Sequence, residues 1–235
     1  MSISWHIKSS VLGGLTAAAL VAASGVQAAT VDVGFSRITS NSAENVASQL
    51  KVTAAPGDQD GNASGGANAW VTFFFTNAVG VASSISEIYF DDGTILGQVS
   101  VVDSFGGYTD FAGGGASPGN LPGGETVTPV FEATAAFSAD AVGNPSKGVD
   151  AADDILAIVY SLQGSLDFDD LVNTLLDGSL RIGLHLRSIG VAEDSDSFIS
   201  SRITVTPVPL PAALPLFGTG LALLGLLGWR RKRAG

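Results

Sequence analysis

The alternation of apolar and polar positions along the chain is clearest between residues 180 and 187. One set of alternate positions is apolar and the other is polar or glycine: Leu180, Ile182, Leu184 and Leu186 against Arg181, Gly183, His185 and Arg187. Because successive side chains of a β-strand point to opposite faces of the sheet, this period of two predicts a half-buried strand. His185 is then expected on the solvent face.

Shorter runs of the same kind recur along residues 29–206, separated by clusters of Gly, Asp, Asn and Ser. They predict eight further strands, near residues 31–38, 48–54, 69–76, 85–90, 95–102, 128–137, 155–162 and 198–206. One short helix is predicted between Asp169 and Leu176, with Asp167 as its N-cap and Gly178 just past its end. The expected fold class is therefore mainly β: an antiparallel β-sandwich of jelly-roll or immunoglobulin-like type with one short helix.

A glycine-rich stretch interrupts this pattern. Residues 106–124 contain eight glycines and two prolines, which predicts a long loop. We interpret it as a solvated connector, with a shaped binding loop as the alternative.

The first 28 residues have the features of a secretory signal peptide. Lys8 gives a positive start, residues 11–23 are apolar, and Val26-Gln27-Ala28 is a small-x-small cleavage pattern. Cleavage is therefore expected between Ala28 and Ala29. An uncleaved membrane anchor is the alternative, but the apolar stretch is short for a stable span.

The last 29 residues, 207–235, combine three features. A proline motif is followed by an uncharged apolar run over residues 213–229 and then by a basic cluster; the motif is Val208, Pro209, Leu210, Pro211 and Ala212, and the cluster is Arg230, Arg231, Lys232 and Arg233. The run predicts one transmembrane helix at about residues 212–229, with the basic cluster holding the C-terminus on the cytoplasmic side. A buried helix of a soluble domain is the alternative, but it would show a polar face. The chain thus divides into a signal peptide (1–28), a β-sandwich domain (29–206) and this C-terminal segment (207–235).

The order of proline motif, membrane span and basic cluster resembles the PEP-CTERM sorting signal in its VPLPA variant. In that family the signal is recognised by an exosortase, a membrane-embedded peptidase that cuts at the proline motif. The resemblance implies that this chain is an exosortase substrate that uses the secretion machinery. It would cross the inner membrane, remain anchored there briefly, and then reach the cell surface or the exopolysaccharide matrix.

The charge and the residue inventory restrict the function of the domain. Residues 29–206 hold all 22 acidic residues and only six Lys and Arg, a balance that argues against nucleic-acid binding. The chain has no cysteine, and His185 is the one histidine after the signal peptide, so thiol chemistry and a two-histidine zinc site are excluded. No nucleophile elbow or phosphate-binding loop occurs, and we predict a non-enzymatic protein that requires no cofactor.

Calcium is the ligand that best suits the acidic loops, because hard cations prefer several oxygen donors. Asp58, Asp60 and Asn62 place three oxygen side chains at alternate positions, and an Asx-rich turn is the alternative.

Two functions of different class follow for the domain. The first is a structural or interaction role at the surface or in the matrix. The second is a carbohydrate-binding module in which Trp70 and Tyr108 stack on sugar rings, with core packing as the alternative for Trp70. A secreted glycoside-active enzyme is a third, less favoured, reading.

Overall fold

The computed structural model describes residues 29–57, 69–105, 109–143, 147–152 and 154–207. Within these ranges the chain forms eleven strands and one α-helix. In chain order they are β1 (Ala29–Arg37), β2 (Leu50–Pro56), β3 (Trp70–Asn77), β4 (Ser84–Asp92), β5 (Leu96–Phe105), β6 (Phe111–Gly113), β7 (Ala139–Ala141), β8 (Val149–Asp150), β9 (Ile155–Leu162), α1 (Phe168–Asp177), β10 (Leu180–Ile189) and β11 (Asp194–Pro207).

All eleven strands belong to one antiparallel sheet. Its order is β5-β9-β3-β2-β1-β11-β10-β4-β7-β6, and β8 pairs with β4 beside β7. The two ends of this order, β5 and β6, come into contact, so the sheet is nearly closed and barrel-like. The expectation of a mainly antiparallel β domain with one helix is confirmed.

The apolar core lies in the interior that the nearly closed sheet surrounds. Phe73 from β3, Phe90 from β4 and Tyr160 from β9 meet edge to face, with ring centroids 5.1 to 6.0 Å apart. These strands are not all neighbours in the sheet order, so the contacts join its two halves across the interior. Aromatic pairs of this geometry add about 0.5–1.5 kcal/mol to the effect of burial alone.

The predicted helix is confirmed together with both of its ends. Asp167 caps the N-terminus by accepting hydrogen bonds from the backbone of Asp169 and Asp170, and the Asp170 side chain accepts one in return from Asp167. Gly178 ends the helix at φ 79°, a left-handed conformation that suits glycine. Its buried face consists of Phe168, Leu171 and Leu175.

Eight of the nine predicted strands are present, with ends shifted by a few residues. The strand predicted at residues 128–137 is wrong: this stretch is irregular and ends in a 3-10 turn at Ala135–Phe137. Pro129 has no N–H to donate to a ladder, and Phe131 is buried outside the main core. The short strands β6, β7 and β8 lacked a recognisable alternation and were not predicted.

One of the two faces of β10 differs from the prediction. The apolar face is buried as predicted, but His185 on the other face is also buried, so its assignment to the solvent face is wrong. His185 pairs there with the buried Glu87 of β4. On the same face of the sheet, a cover segment, residues 116–133, packs Leu121 and Phe131 over Gly183 and Tyr89. A Cβ at Gly183 would lie 2.7 Å from Leu121, so the cover requires glycine there. In the described part of the glycine-rich loop, residues 112–114 and 117–120 are exposed, as expected for a solvated connector, whereas Leu121 near its end is buried.

Candidate functional site

Most residues that the sequence singled out lie outside the described ranges. They are one side of the signal cleavage site, the proposed calcium ligands, one stacking aromatic, the proline motif and the basic cluster: Ala28, Asp58, Asp60, Asn62, Tyr108, Val208, Pro209, Leu210, Pro211, Ala212, Arg230, Arg231, Lys232 and Arg233. Ala29 and Trp70 are described, and they open β1 and β3. Trp70 is half-buried and lies outside the buried core.

The predicted span and the proposed calcium ligands both fall outside the described ranges. Within the described ranges, no helix is long and apolar enough to cross a membrane. In the same ranges, no group of three or more His, Asp or Glu side chains is placed to hold a metal ion.

The structure instead brings together polar residues that the sequence had kept apart. Four of them lie directly opposite one another on four adjacent strands: Ser197 of β11, His185 of β10, Glu87 of β4 and Asp140 of β7. They occupy the face of the sheet that the cover segment partly buries. The sequence alone suggested no relation among them, because they are separated by up to 110 residues.

Glu87 is the centre of this row. It is 1% exposed, yet both of its carboxylate oxygens have cationic or proton-donating partners. Nδ1 of His185 lies 2.7 Å from Oε2, and the Arg187 guanidinium donates to Oε1. A buried carboxylate is tolerated only with partners of this kind, since an unpaired charge in the interior is very costly.

Asp140 lies across the β4–β7 pair from Glu87, so two carboxyl groups face each other on neighbouring strands. Burial, and after it the nearby Glu87 carboxylate, raise the pKa of Asp140 above its usual value. Hydrogen bonds from the backbone of Ser117 and Ala141 and the charge of Arg187 act in the opposite direction and only partly compensate. Like charges at directly opposed positions destabilise a sheet, so this pair is not explained by stability.

A bulge in β4 lies next to the two carboxyl groups. Glu87 pairs with His185 and Ile85 pairs with Leu186, which leaves Ser86 as the extra residue. On the other edge of β4, pairing with β7 ends at Glu87 and pairing with β8 begins at Ile85. Bulges of this type bend a strand and redirect a side chain, and they are frequent beside functional sites.

The Ser86 hydroxyl is poorly satisfied at this bulge. The residue is 2% exposed, and among the described residues its Oγ has one hydrogen-bond contact, of 3.5 Å, to the carbonyl oxygen of Ser84. Hydrogen bonds between oxygens are usually about 2.5–3.0 Å long, so this contact is weak at best.

A cavity of about 260 Å³ opens at the bulge. Strand β4, strand β7, the start of the cover segment and the end of β10 contribute its walls, which are Ser86, Glu87, Ser117, Asp140, Ala141, Gly143 and Arg187. The cavity therefore presents two carboxyl groups, one guanidinium and two hydroxyls within one concave space. This combination can both accept and donate hydrogen bonds to a ligand.

The row also contains the residue types of a Ser-His-Glu triad, but it lacks the geometry of one. The Ser197 hydroxyl is fully buried and, among the described residues, has no hydrogen-bond partner, so His185 does not activate it. Neither Ser197 nor His185 lines the cavity. The histidine instead holds Glu87 in place.

One signal in the sequence could have pointed to this site. Glu87 is the one acidic residue of the predicted strand 85–90, and the polar face of the predicted strand 180–187 carries Arg181, His185 and Arg187; opposite charges often pair across strands. Asp140 carries no such signal, because β7 has only three residues.

Comparison with known proteins adds no further information to this geometry. No family model matches the chain, and searches of curated proteins and of solved structures also found no match. The function is therefore argued from the sequence signals at the two ends of the chain and from the site just described.

Proposed function

We propose that this chain is a non-enzymatic exported protein that an exosortase processes at the proline motif and delivers to the cell surface or the exopolysaccharide matrix. The mature part is the β domain, which has a structural or interaction role there. The signal peptide, the predicted span at residues 212–229 and the basic cluster direct transport and are absent from the final product.

One structural observation supports this proposal more than any other. The described part of the sheet starts at Ala29, the residue that follows the predicted signal cleavage, and extends to Pro207. These two residues are also partners, because the β1–β11 ladder pairs Ala29 with Pro207. Cleavage at both predicted sites would therefore leave every strand that the structure describes intact.

The end of β11 is also suited to recognition by a peptidase. Of its last seven residues, six are exposed and only Ile203 is half-buried. Exposed side chains at this end of the domain leave room for a peptidase to approach the motif that follows in the sequence.

An interaction role without turnover agrees with the composition of the domain. Its strongly acidic surface favours solubility and repels nucleic acid. Calcium binding at Asp58, Asp60 and Asn62 remains part of the proposal as an accessory feature.

The proposal is tested by changing the proline motif in the native cell. With Pro209→Ala and Pro211→Ala together, the chain is expected to accumulate in the membrane fraction, as it should in a strain without exosortase. Pro215→Ala is the matched control, since it removes a proline from the same segment outside the motif, and it should leave sorting unchanged. Equal delivery to the surface by the double variant and the unaltered chain would refute the proposal.

A carbohydrate-binding module is the second candidate, and the cavity beside Glu87 is the observation that favours it. In this reading the sugar contacts come from carboxyl, hydroxyl and guanidinium groups, whereas the sequence had pointed to the aromatic residues Trp70 and Tyr108.

A further inference from the structure

We propose that the cavity at the β4 bulge is a binding site for a single uncharged, hydroxyl-rich sugar residue. Ser86, Glu87, Asp140 and Arg187 would contact its hydroxyl groups, and Ser117 would contribute from the cover segment.

The charges around the cavity select against ionic ligands. An anion would meet the carboxyl groups of Glu87 and Asp140, while a metal cation would meet the guanidinium of Arg187 next to Glu87. In the described ranges no third acidic or histidine ligand completes a metal site. A neutral ligand avoids both repulsions and still finds charged partners for hydrogen bonds.

The hydrogen-bonding capacity of the cavity matches that of sugar hydroxyls. Each hydroxyl of a sugar is at once a donor and an acceptor, so it can donate to a carboxylate and accept from a guanidinium or a serine. Asp140 and Glu87 supply acceptors, Arg187 supplies donors, and Ser86 and Ser117 supply both. A sugar hydroxyl would also give the buried Ser86 Oγ the short hydrogen bond that it lacks in the free protein.

The size and position of the cavity agree with one ring. Its volume of about 260 Å³ lies just below the roughly 300–1,000 Å³ typical of small-molecule sites. Glu87 forms the buried inner end, whereas the Arg187 side chain is 41% exposed and lies on the rim. The remainder of a longer saccharide could then extend from the rim into solvent.

A bound sugar would explain why two carboxyl groups lie opposite each other at Glu87 and Asp140. In the free protein, the Glu87–Asp140 pair and the interrupted pairing at Ser86 weaken this edge of the sheet. A ligand that donates hydroxyls to both carboxyl groups would offset part of that cost. Binding sites commonly carry strain of this kind, which the surrounding structure maintains.

The ligand class rests on the cavity alone and not on the route by which the protein reaches the surface. If the sugar belongs to a polysaccharide of the extracellular matrix, that further step rests on the proposed function. Binding can therefore be measured on protein from a strain without exosortase as well as on the processed form. Loss of sorting would leave the binding result unchanged, and loss of sugar binding would leave the sorting result unchanged.

The test is calorimetric titration of the protein purified from its native cells. The probes are glucose, galactose, mannose and N-acetylglucosamine, with glucuronate as the anionic probe and calcium chloride as the cationic one. We expect saturable binding of at least one neutral sugar at one site per chain, and no competition from glucuronate or calcium. Failure of all four neutral sugars, or displacement of a bound sugar by glucuronate or calcium, would overturn the assignment.

Three variants connect the binding to the cavity. Asp140→Asn should weaken sugar binding by about tenfold or more, because a hydrogen bond to a charged group is lost. Ser86→Ala should weaken it by about threefold to tenfold, and it preserves the fold because the native hydroxyl makes only one long contact. Glu125→Gln removes an exposed carboxylate outside the cavity wall and should change nothing. Unchanged affinity in Ser86→Ala and Asp140→Asn would place the sugar elsewhere and reject the site.

Discussion

Two parts of the same sheet are built very differently. Strand β3 pairs with β2 over seven consecutive residues and with β9 over another seven, without a register shift in either ladder. Strand β4 has a bulge in its pairing with β10, and its other edge is shared between β7 and β8 with two paired residues each. The first part is a regular scaffold and the second is interrupted at Ser86.

The side chains follow the same division. The regular ladders enclose an apolar and aromatic interior around Phe73 and Tyr160. The interrupted part carries Glu87, Asp140 and Arg187 around a cavity. Strand β4 still contributes Ile85, Ile88 and Phe90 to the same apolar core, so the interruption changes its pairing and the polar face of the sheet without removing the strand from the core.

The largest effect is expected from a change in the regular part. Phe73→Ala should lower the free energy of unfolding by about 3–5 kcal/mol, since Phe73 is completely buried and contacts Phe90 and Tyr160 edge to face. Denaturant unfolding of the purified protein would measure this loss. Val79→Ala, at a position that is 79% exposed, is the control and should stay within about 0.5 kcal/mol. A loss below about 1 kcal/mol for Phe73→Ala would contradict the assignment of the core.

A smaller loss is expected at the centre of the interrupted part. Glu87→Gln should cost about 2–3 kcal/mol, because it leaves His185 and Arg187 without their carboxylate, although the partly exposed Arg187 can turn towards water. Glu125→Gln, which alters an exposed carboxylate, should have little effect. A double-mutant cycle with Arg187→Met would measure the coupling, and a coupling near zero would show that the ion pair contributes nothing.

The cover segment gives an effect of intermediate to small size. Gly183→Ala should cost about 1–2 kcal/mol, because the new methyl group would come within 2.7 Å of Leu121 and 3.1 Å of Phe131. Thermal unfolding would record the loss. The double variant Gly183→Ala with Leu121→Ala makes room for the methyl group, and additive losses in that double variant would contradict the packing explanation.

The smallest effect has the opposite sign and depends on pH. Asp140→Asn should raise the free energy of unfolding at pH 7 by about 0.2–1 kcal/mol, since it removes a like charge opposite Glu87. A raised pKa means that the folded state holds the Asp140 proton more tightly than the unfolded state. The penalty is therefore complete above the folded pKa and absent below the unfolded value of about 3.9.

Denaturant unfolding at pH 7 and near pH 3.5 would test this difference between Asp140→Asn and the unaltered chain. The gain should be present at the higher pH and disappear at the lower one. A gain of equal size at both pH values would show that charge is not its origin.

The sequence predicts those elements whose cause is local. The helix follows from Asp167, Asp170 and Gly178, which satisfy or end its backbone hydrogen bonds within a few residues. The apolar face of β10 follows from alternation alone. The burial of His185 does not, since His185 lies against the buried Glu87 of β4, which is 98 residues away in the sequence.

Most of the candidate site was not predictable for the same reason. Its residues come from β4, β7, β10 and the cover segment, and strand order cannot be read from a period of two. The bulge at Ser86 is defined by the pairing of β4 with β10, so the sequence of β4 alone does not predict it.

The most direct test of the account is the intact mass of the protein recovered from the cell surface and medium, compared with a strain that lacks exosortase. The account predicts a chain that begins at Ala29 and ends within the motif from Val208 to Ala212, found only where the exosortase is present. A mass that still includes the basic cluster through Arg233 in both strains would contradict it. The domain would then be held at the membrane by an uncleaved C-terminal segment.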